Sequence, residues 1–244
     1  DKDKNGNGQA IIALIPDKSK HFIIKMLKIE TTLSINGNKQ WINEWSPRSI
    51  GKPCPFHETY VNHWNDDKDT ARLFKNKEKW ICNIKVIKDT MHPENEGKIF
   101  LYAFSKTMAQ KIQQKLTLTD AEIAMGMPRK EIFNPLKGWV MNLSCYTADT
   151  GFPSYDNSDF VQLPNGNTIY GPLNDETKKK CYEDIMNNTY DLSDFQKPEN
   201  FMSYDDLHKE LERICRGTFG IGAKSSVTNK SSDSLLTTFN TKNL

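Results

Sequence analysis

Lysines and flat aromatic rings crowd together between Lys75 and Phe104, in the stretch KNKEKWICNIKVIKDTMHPENEGKIFLYAF. A ring can stack on a nucleobase whatever the base, and an ammonium group beside it can neutralise a phosphate. Together they make a sequence-tolerant grip on a single strand. Lys75, Lys77, Lys79, Lys85 and Lys88 supply the cations; Trp80, Tyr102 and Phe104 supply the rings. The same pattern also fits an amphipathic hairpin with a solvated lysine rim, because short apolar runs read both ways. A second group, Gly151-Phe152-Pro153-Ser154-Tyr155-Asp156, sets two more rings in a turn-rich stretch, either as a base-stacking loop or as a local apolar cluster. Cys54-Pro55-Phe56-His57 is a C-x-x-H pair with metal-ligand spacing, for which His63 and His21 are the available partners. A buried thiol and an unrelated imidazole fit it as well. Glu94 and Glu96 flank Asn95 at a hairpin tip, where solvated acids are ordinary.

The patterns of catalysis are missing. There is no phosphate-binding P-loop, no GxGxxG, no HExxH and no G-x-S-x-G elbow, and none of the five histidines stands in the spacing of a relay. The chain reads as a non-enzyme. Formal net charge is +2 over 244 residues, so a site for a polyanion must be a local patch. Hydrophobic residues make up 36% and charged residues 26%, enough for a core under a polar exterior. No apolar run approaches the roughly 18 residues of a membrane span, so no membrane partner is expected. Five scattered cysteines, Cys54, Cys82, Cys145, Cys181 and Cys215, fit reduced thiols in a cytosol-like compartment.

The elements that position these residues follow from periodicity. Trp80, Cys82, Ile84 and Val86 alternate with Ile81, Asn83, Lys85 and Ile87; Pro93, Asn95 and Gly97 then turn the chain into a return strand. On that strand Ile99, Leu101 and Ala103 share one face and Phe100, Tyr102 and Phe104 the other. Gln9–Pro16 and His21–Ile29 are two earlier strands, and Asn36-Gly37 is a tight-turn signal before Lys39–Trp41. Trp41 to about Phe74 lacks long apolar periodicity and reads as an insertion or small subdomain. Lys106–Leu116 has helical spacing, Thr119 with Glu122 forms a capping-box pair, and Trp139–Cys145 alternates as a strand. In the last third, Asn174 caps one helix with a Tyr182, Ile185 and Met186 stripe. Ser203 with Asp206 caps another, whose stripe is Leu207, Leu211 and Ile214 and whose stop is Gly217. Residues 217–244 are rich in Ser, Thr, Asn and Gly and read as a disordered tail.

In their order, NGNGQAIIALIP, CPFH, KWICNIKVIKD…PENEGKIFLYAF, GFPSYDNSDF and FMSYDDLHKELERICRG resemble the single-stranded DNA-binding (helix-destabilising) proteins of T-even-like bacteriophages, from about Asn5 to Gly217. The resemblance implies an α+β protein with an OB-fold barrel (about 5–30 and 75–165), an inserted subdomain (about 31–74) and a C-terminal helical flap (about 172–216). Residues 1–216 would then be the DNA-binding core. It further implies non-specific binding and protection of single-stranded DNA in phage replication, recombination and repair, in the cytoplasm of a bacterial host. Trp64, Lys75, Lys77, Lys79, Trp80, Tyr102, Phe104, Phe152 and Tyr155 would line the cleft, rings on bases and lysines on phosphates. Implied partners are phage replication and recombination proteins, and further copies of the protein along DNA.

The chain also departs from that pattern. The family's zinc set is three cysteines and a histidine; here Cys54 and His57 take the last pair, His57 in place of cysteine. Ser46 falls at the third cysteine, so no firm cofactor is expected. Ala13 stands where the family carries an arginine. The basic arm that drives cooperativity in the family would precede Asp1. The tail holds Asp233 as its one acid beside Lys224, Lys230 and Lys242, unlike the acidic family tail. A single-stranded RNA-binding regulator on the same barrel is the alternative, and a peptide-binding scaffold a third reading.

Overall fold

The continuous apolar run Ala10–Ile15 makes β1 (Gly8–Ile15) a strand buried on both sides at its end, where Ile12, Ala13, Leu14 and Ile15 are all within the core. In the computed structural model, which describes residues 3–35, 37–164, 168–170 and 174–215, the chain is mixed α+β with antiparallel strands. It divides into two units. One is drawn from Asp1–Ile24 and Trp80–Leu192, the other from Lys25–Lys79 and Ser193–Leu244, in each case the described residues of those spans.

The first unit is built on β1. It pairs on one edge with β4 (Lys77–Asp89), placing Ile12 beside Val86 and Leu14 beside Ile84, and on the other with β6 (Trp139–Thr147), placing Ile12 beside Met141. β4 pairs in turn with β5 (Ile99–Phe104) as the expected hairpin, with Trp80 opposite Phe104, Cys82 opposite Tyr102 and Ile84 opposite Phe100. Its turn is a 3-10 segment at Pro93–Asn95, closed by the Gly97 N–H on the Val86 carbonyl (2.8 Å). Here Glu96 pairs with Lys88 (3.0 Å) and Glu94 with His92 (2.9 Å), so both acids serve the turn. β6 also carries the short β7 (Pro153–Ser154) and β8 (Asp159–Gln162).

Helices α3 (Lys106–Leu116), α4 (Asp120–Ala124) and α5 (Asp175–Asn188) belong to the same unit. α3 buries Met108 and Ile112; α4 begins with the Thr119–Glu122 capping box; Asn174 caps α5 through the Thr177 N–H (2.8 Å), and Ile185 is its buried contact. Buried Asn83 acts as a substitute backbone partner, its amide bonding both the N–H (3.0 Å) and the carbonyl (2.9 Å) of Tyr190.

In the second unit, β2 (Ile24–Ile35) and β3 (Asn38–Trp45) form a hairpin. The strand expected from His21 starts three positions later, because Asp17 folds the chain back through the Lys20 and His21 backbones. The expected insertion from residue 31 is therefore strand in its first part and helical later, in α1 (Pro55–His63) and α2 (Lys68–Phe74). Its core joins Ile29, Leu33 and Ile42 of the hairpin with Phe56 and Phe74 of the helices and with Leu207, Leu211 and Ile214 of α6 (Tyr204–Cys215). The stripe of α6 thus covers this hairpin, an assignment that helical periodicity alone leaves open. Gly217 and the tail of 217–244 lie outside the described residues.

Candidate nucleic-acid interface

In the first unit the rings come together through strand register. Residues opposite one another on antiparallel strands share a face, so Trp80, Phe104 and Tyr102 lie on one side of the hairpin. Tyr102 and Phe104 stack with ring centroids 5.3 Å apart. This aromatic side is the covered one: Trp80 is 7% and Phe104 4% exposed, whereas Leu101 and Ala103 on the other side are exposed. Burial raises the Tyr102 phenol well above its ordinary pKa, with Tyr155, Cys82 and Cys145 adding to the effect. Tyr155 is pushed up to about 12, first by burial and then by its hydrogen bond with Cys145. Both phenols therefore stay neutral.

Phe152 is presented differently. β6 and β7 form a tight hairpin, with Tyr146 opposite Ser154 and Thr147 opposite Pro153. The Ala148 N–H donates to the Phe152 carbonyl (3.0 Å) and the Gly151 N–H to the Ala148 carbonyl (2.8 Å). Gly151 has φ 77°, a left-handed conformation that glycine adopts without strain. The turn leaves Phe152 73% exposed at its tip. Beside it a groove of about 310 Å³ runs between α3 and the 148–156 turn, with Met108, Lys111 and Tyr155 among its walls. An exposed ring above a groove, on a hairpin fixed by backbone bonds, is suited to stacking on a flat partner.

In the second unit Trp64, 38% exposed, follows α1, its ring 5.3 Å from that of Tyr60 and under the Lys68 ammonium (5.8 Å). Lys77 and Lys79 share one carboxylate, Glu30, each at 3.1 Å, and Lys25 pairs with Glu78. Burial would raise the Glu30 pKa, but the two lysines outweigh it and hold the carboxyl below its ordinary range. Lys75 is exposed and has no ion pair among the described residues. Sequence reading missed Glu30: on a strand before a turn, nothing local marks it as the counter-ion of two distant lysines. It also missed the loop-facing lysines Lys111 and Lys115; Lys85, one of the expected cations, lies over the Tyr170 ring (5.1 Å).

The residues around Cys54 and His57 do not fit zinc. The buried Cys54 precedes α1, its carbonyl accepting from the His57 N–H (3.0 Å) and the Glu58 N–H (3.1 Å). Ser46, at the third position, has its hydroxyl donating to Asn76 Oδ1 (3.0 Å). His57 is pushed down to about 4 by burial and by the Arg48 guanidinium, a positive charge that would also disfavour a dication nearby. Two thiolates are lacking, and His21 belongs to the other unit, where it bonds Asp17 (2.9 Å). Among the described residues the one group of ligand atoms close enough to share an ion is Asp17, His21 and Asp191. Asp17 is already held there by the His21 N–H (2.8 Å), the His21 ring and the Leu192 N–H (3.1 Å), the pattern of a structural brace. Ala13, where the resemblance has an arginine, is wholly buried on β1.

No described helix is long and apolar enough to cross a membrane. Comparison with known proteins gives matches over nearly the whole chain. The single-stranded DNA-binding protein of Enterobacteria phage T2 is 28% identical over 238 residues, covering 95% of this chain and 73% of the relative. The protein of the same description from Enterobacteria phage T4 is 28% identical over 240 residues, with the same coverage. The sequence pattern described as gp32 DNA binding protein like matches residues 6–215, and the chain belongs to that family.

Proposed function

We propose that this chain binds single-stranded DNA without sequence preference and without catalysis, protecting it during phage replication, recombination and repair in the cytoplasm of the host bacterium. The observation that carries the reading is the exposed Phe152 on its braced turn, beside Tyr155 and a groove, in a chain of this family. Stacking on such a ring needs no particular base, and lysines 75, 77 and 79 offer the charge that backbone phosphates require. Trp80, Tyr102 and Phe104 form the covered aromatic floor behind the exposed rings, and Trp64 stacks at the margin of the basic stretch. Binding rests on residues 1–216. Within them the strands of about 5–30 and 75–165 act as an OB-type barrel, 31–74 as the inserted subdomain and about 172–216 as a helical flap. Replication and recombination proteins are its partners in this reading.

The test is a tryptophan-fluorescence titration with oligo-dT at low and moderate salt, against duplex DNA and a matched RNA oligomer. Quenching by single-stranded DNA, weakened by salt and much weaker with duplex, is expected. Tighter binding of the RNA oligomer would move the reading to an RNA regulator, and no response at low salt would overturn it.

A further inference from the structure

Lys111 and Lys115 stand one turn apart on α3, so their side chains leave the same face of the helix. Both reach the segment that follows the Phe152–Tyr155 turn. The Lys111 ammonium donates to the carbonyls of Asp156 (2.5 Å) and Ser158 (3.2 Å). The Lys115 ammonium donates to the carbonyl of Phe160 (3.2 Å), lies 3.8 Å from Asp159 Oδ1 and sits 5.5 Å from the centre of the Trp139 ring. The Asp156 carbonyl lies in the turn that leads into β8 and the Phe160 carbonyl on β8 itself, so the lysine pair holds both the turn and the strand. Long surface lysines lose considerable rotamer freedom when held, so a pair held on three backbone carbonyls is a specific arrangement.

Among the described residues the segment is also tied locally and to β6. The Tyr155 carbonyl accepts from the Ser158 N–H (3.0 Å), and the Asp156 N–H donates to Ser154 Oγ (3.2 Å). The nearly buried Ser158 hydroxyl donates to the Ser144 carbonyl (3.1 Å) and accepts from the Ser144 N–H (3.0 Å). Lys111 and Lys115 are thus charged tethers between this segment and α3, the other wall of the groove.

We propose that Lys111, assisted by Lys115, is a positioning residue for single-stranded DNA: it clamps the Phe152–Tyr155 turn against α3 and so fixes the rings over the groove, instead of neutralising a phosphate itself. This rests on the DNA-binding reading above. An ammonium group has three donors, and Lys111 already directs hydrogen bonds to two carbonyls. A phosphate could reach only the one remaining donor unless it displaced one of these bonds.

The clamp and a phosphate contact make opposite predictions. Lys111→Met keeps the chain length and removes the donors; Lys111→Arg keeps charge and reach. For Lys111→Met, amide exchange across residues 148–158 without DNA should accelerate about tenfold, the order expected for losing charge-assisted bonds. Affinity for oligo-dT should fall roughly three- to tenfold, a fraction of one stacking interaction, with the log–log salt slope unchanged. Lys111→Arg should restore both. In a double-mutant cycle the loss should largely vanish on a Phe152→Ala background, because the two changes act through one ring.

A slope shallower by about 0.7, with exchange unchanged, would make Lys111 a phosphate contact and overturn the clamp. So would unchanged exchange and affinity together. Wild-type protein that fails to bind oligo-dT would refute the DNA-binding reading and the purpose given to the clamp, while the exchange arm still reports separately whether the tether exists.

Discussion

Replacing Glu30 with glutamine should make this protein bind single-stranded DNA more tightly. In the structure one Glu30 carboxylate holds both Lys77 and Lys79 at 3.1 Å, and the Glu30 side chain is 28% exposed. For the lysines to meet phosphates they must leave, or share, that carboxylate. Solvent-screened pairs of this kind are worth about 0.2–1 kcal/mol each, and sharing one carboxylate makes the two less than additive. Glu30→Gln, nearly isosteric, should therefore raise oligo-dT affinity about two- to tenfold at low salt. If both lysines then engage phosphates fully, the log–log salt slope should steepen by up to about 1.4, or about 0.7 for each. Fluorescence titration at several salt concentrations reads both quantities, and a melting curve confirms that the variant folds. Unchanged affinity and slope would show that neither lysine reaches a phosphate. Weaker binding would show that Glu30 orders the lysines instead of competing for them. The same pair sets a pH dependence. Because the folded Glu30 pKa is depressed, its contribution to stability is whole above the ordinary glutamate value and is lost as pH falls through the lower folded value. Glu30→Gln should remove that part of the acid limb.

Phe152→Ala should cost about 1–3 kcal/mol of binding while changing stability by no more than about 0.5 kcal/mol, since the ring is mostly exposed; a matching fall in melting temperature would make the turn a structural element. Trp80→Ala should do the reverse and destabilise by about 3–5 kcal/mol, so its binding must be judged only at temperatures where the variant is folded. Gly6→Ala should destabilise by about 1–2 kcal/mol from its left-handed φ of 82°, and more from a Cβ that would meet Thr147 Oγ1 at 2.2 Å. Pairing it with Thr147→Ala should recover only the second part, as thermal unfolding will read. The Glu122 carboxyl, held by Lys130 and then by the Thr119 N–H, has its pKa lowered to about 2. The α4 capping box should stay whole above the ordinary glutamate range and be lost only as pH falls through about 2, which a Glu122 carbon-13 titration would follow. A midpoint near an ordinary glutamate would mean that the Lys130 contact is not kept in solution.

Much of this protein was legible without coordinates, and the legible parts have a common cause. The hairpin from Trp80 to Phe104, the Thr119–Glu122 box, the Asn174 and Ser203 caps and the turn at Gly97 depend on residues a few positions apart or on a period of two. Local interactions of that kind are written in local sequence. Periodicity separates Phe100, Tyr102 and Phe104 from Leu101 and Ala103, but it does not say which side is covered. That depends on elements remote in the chain, and it buried Trp80 and Phe104 where sequence alone left them open to bases. The same holds for charge. Lys77 and Lys79 read as free cations until β2 brings Glu30 between them, and Lys111 and Lys115 read as an ordinary polar face until the backbone carbonyls of 156–160 meet them. Sequence by itself determined most of the strands, the caps and the supply of rings and lysines. Only the tertiary structure decided which rings remain exposed and which lysines are already engaged, because burial and pairing are set by neighbours that the chain brings together only on folding.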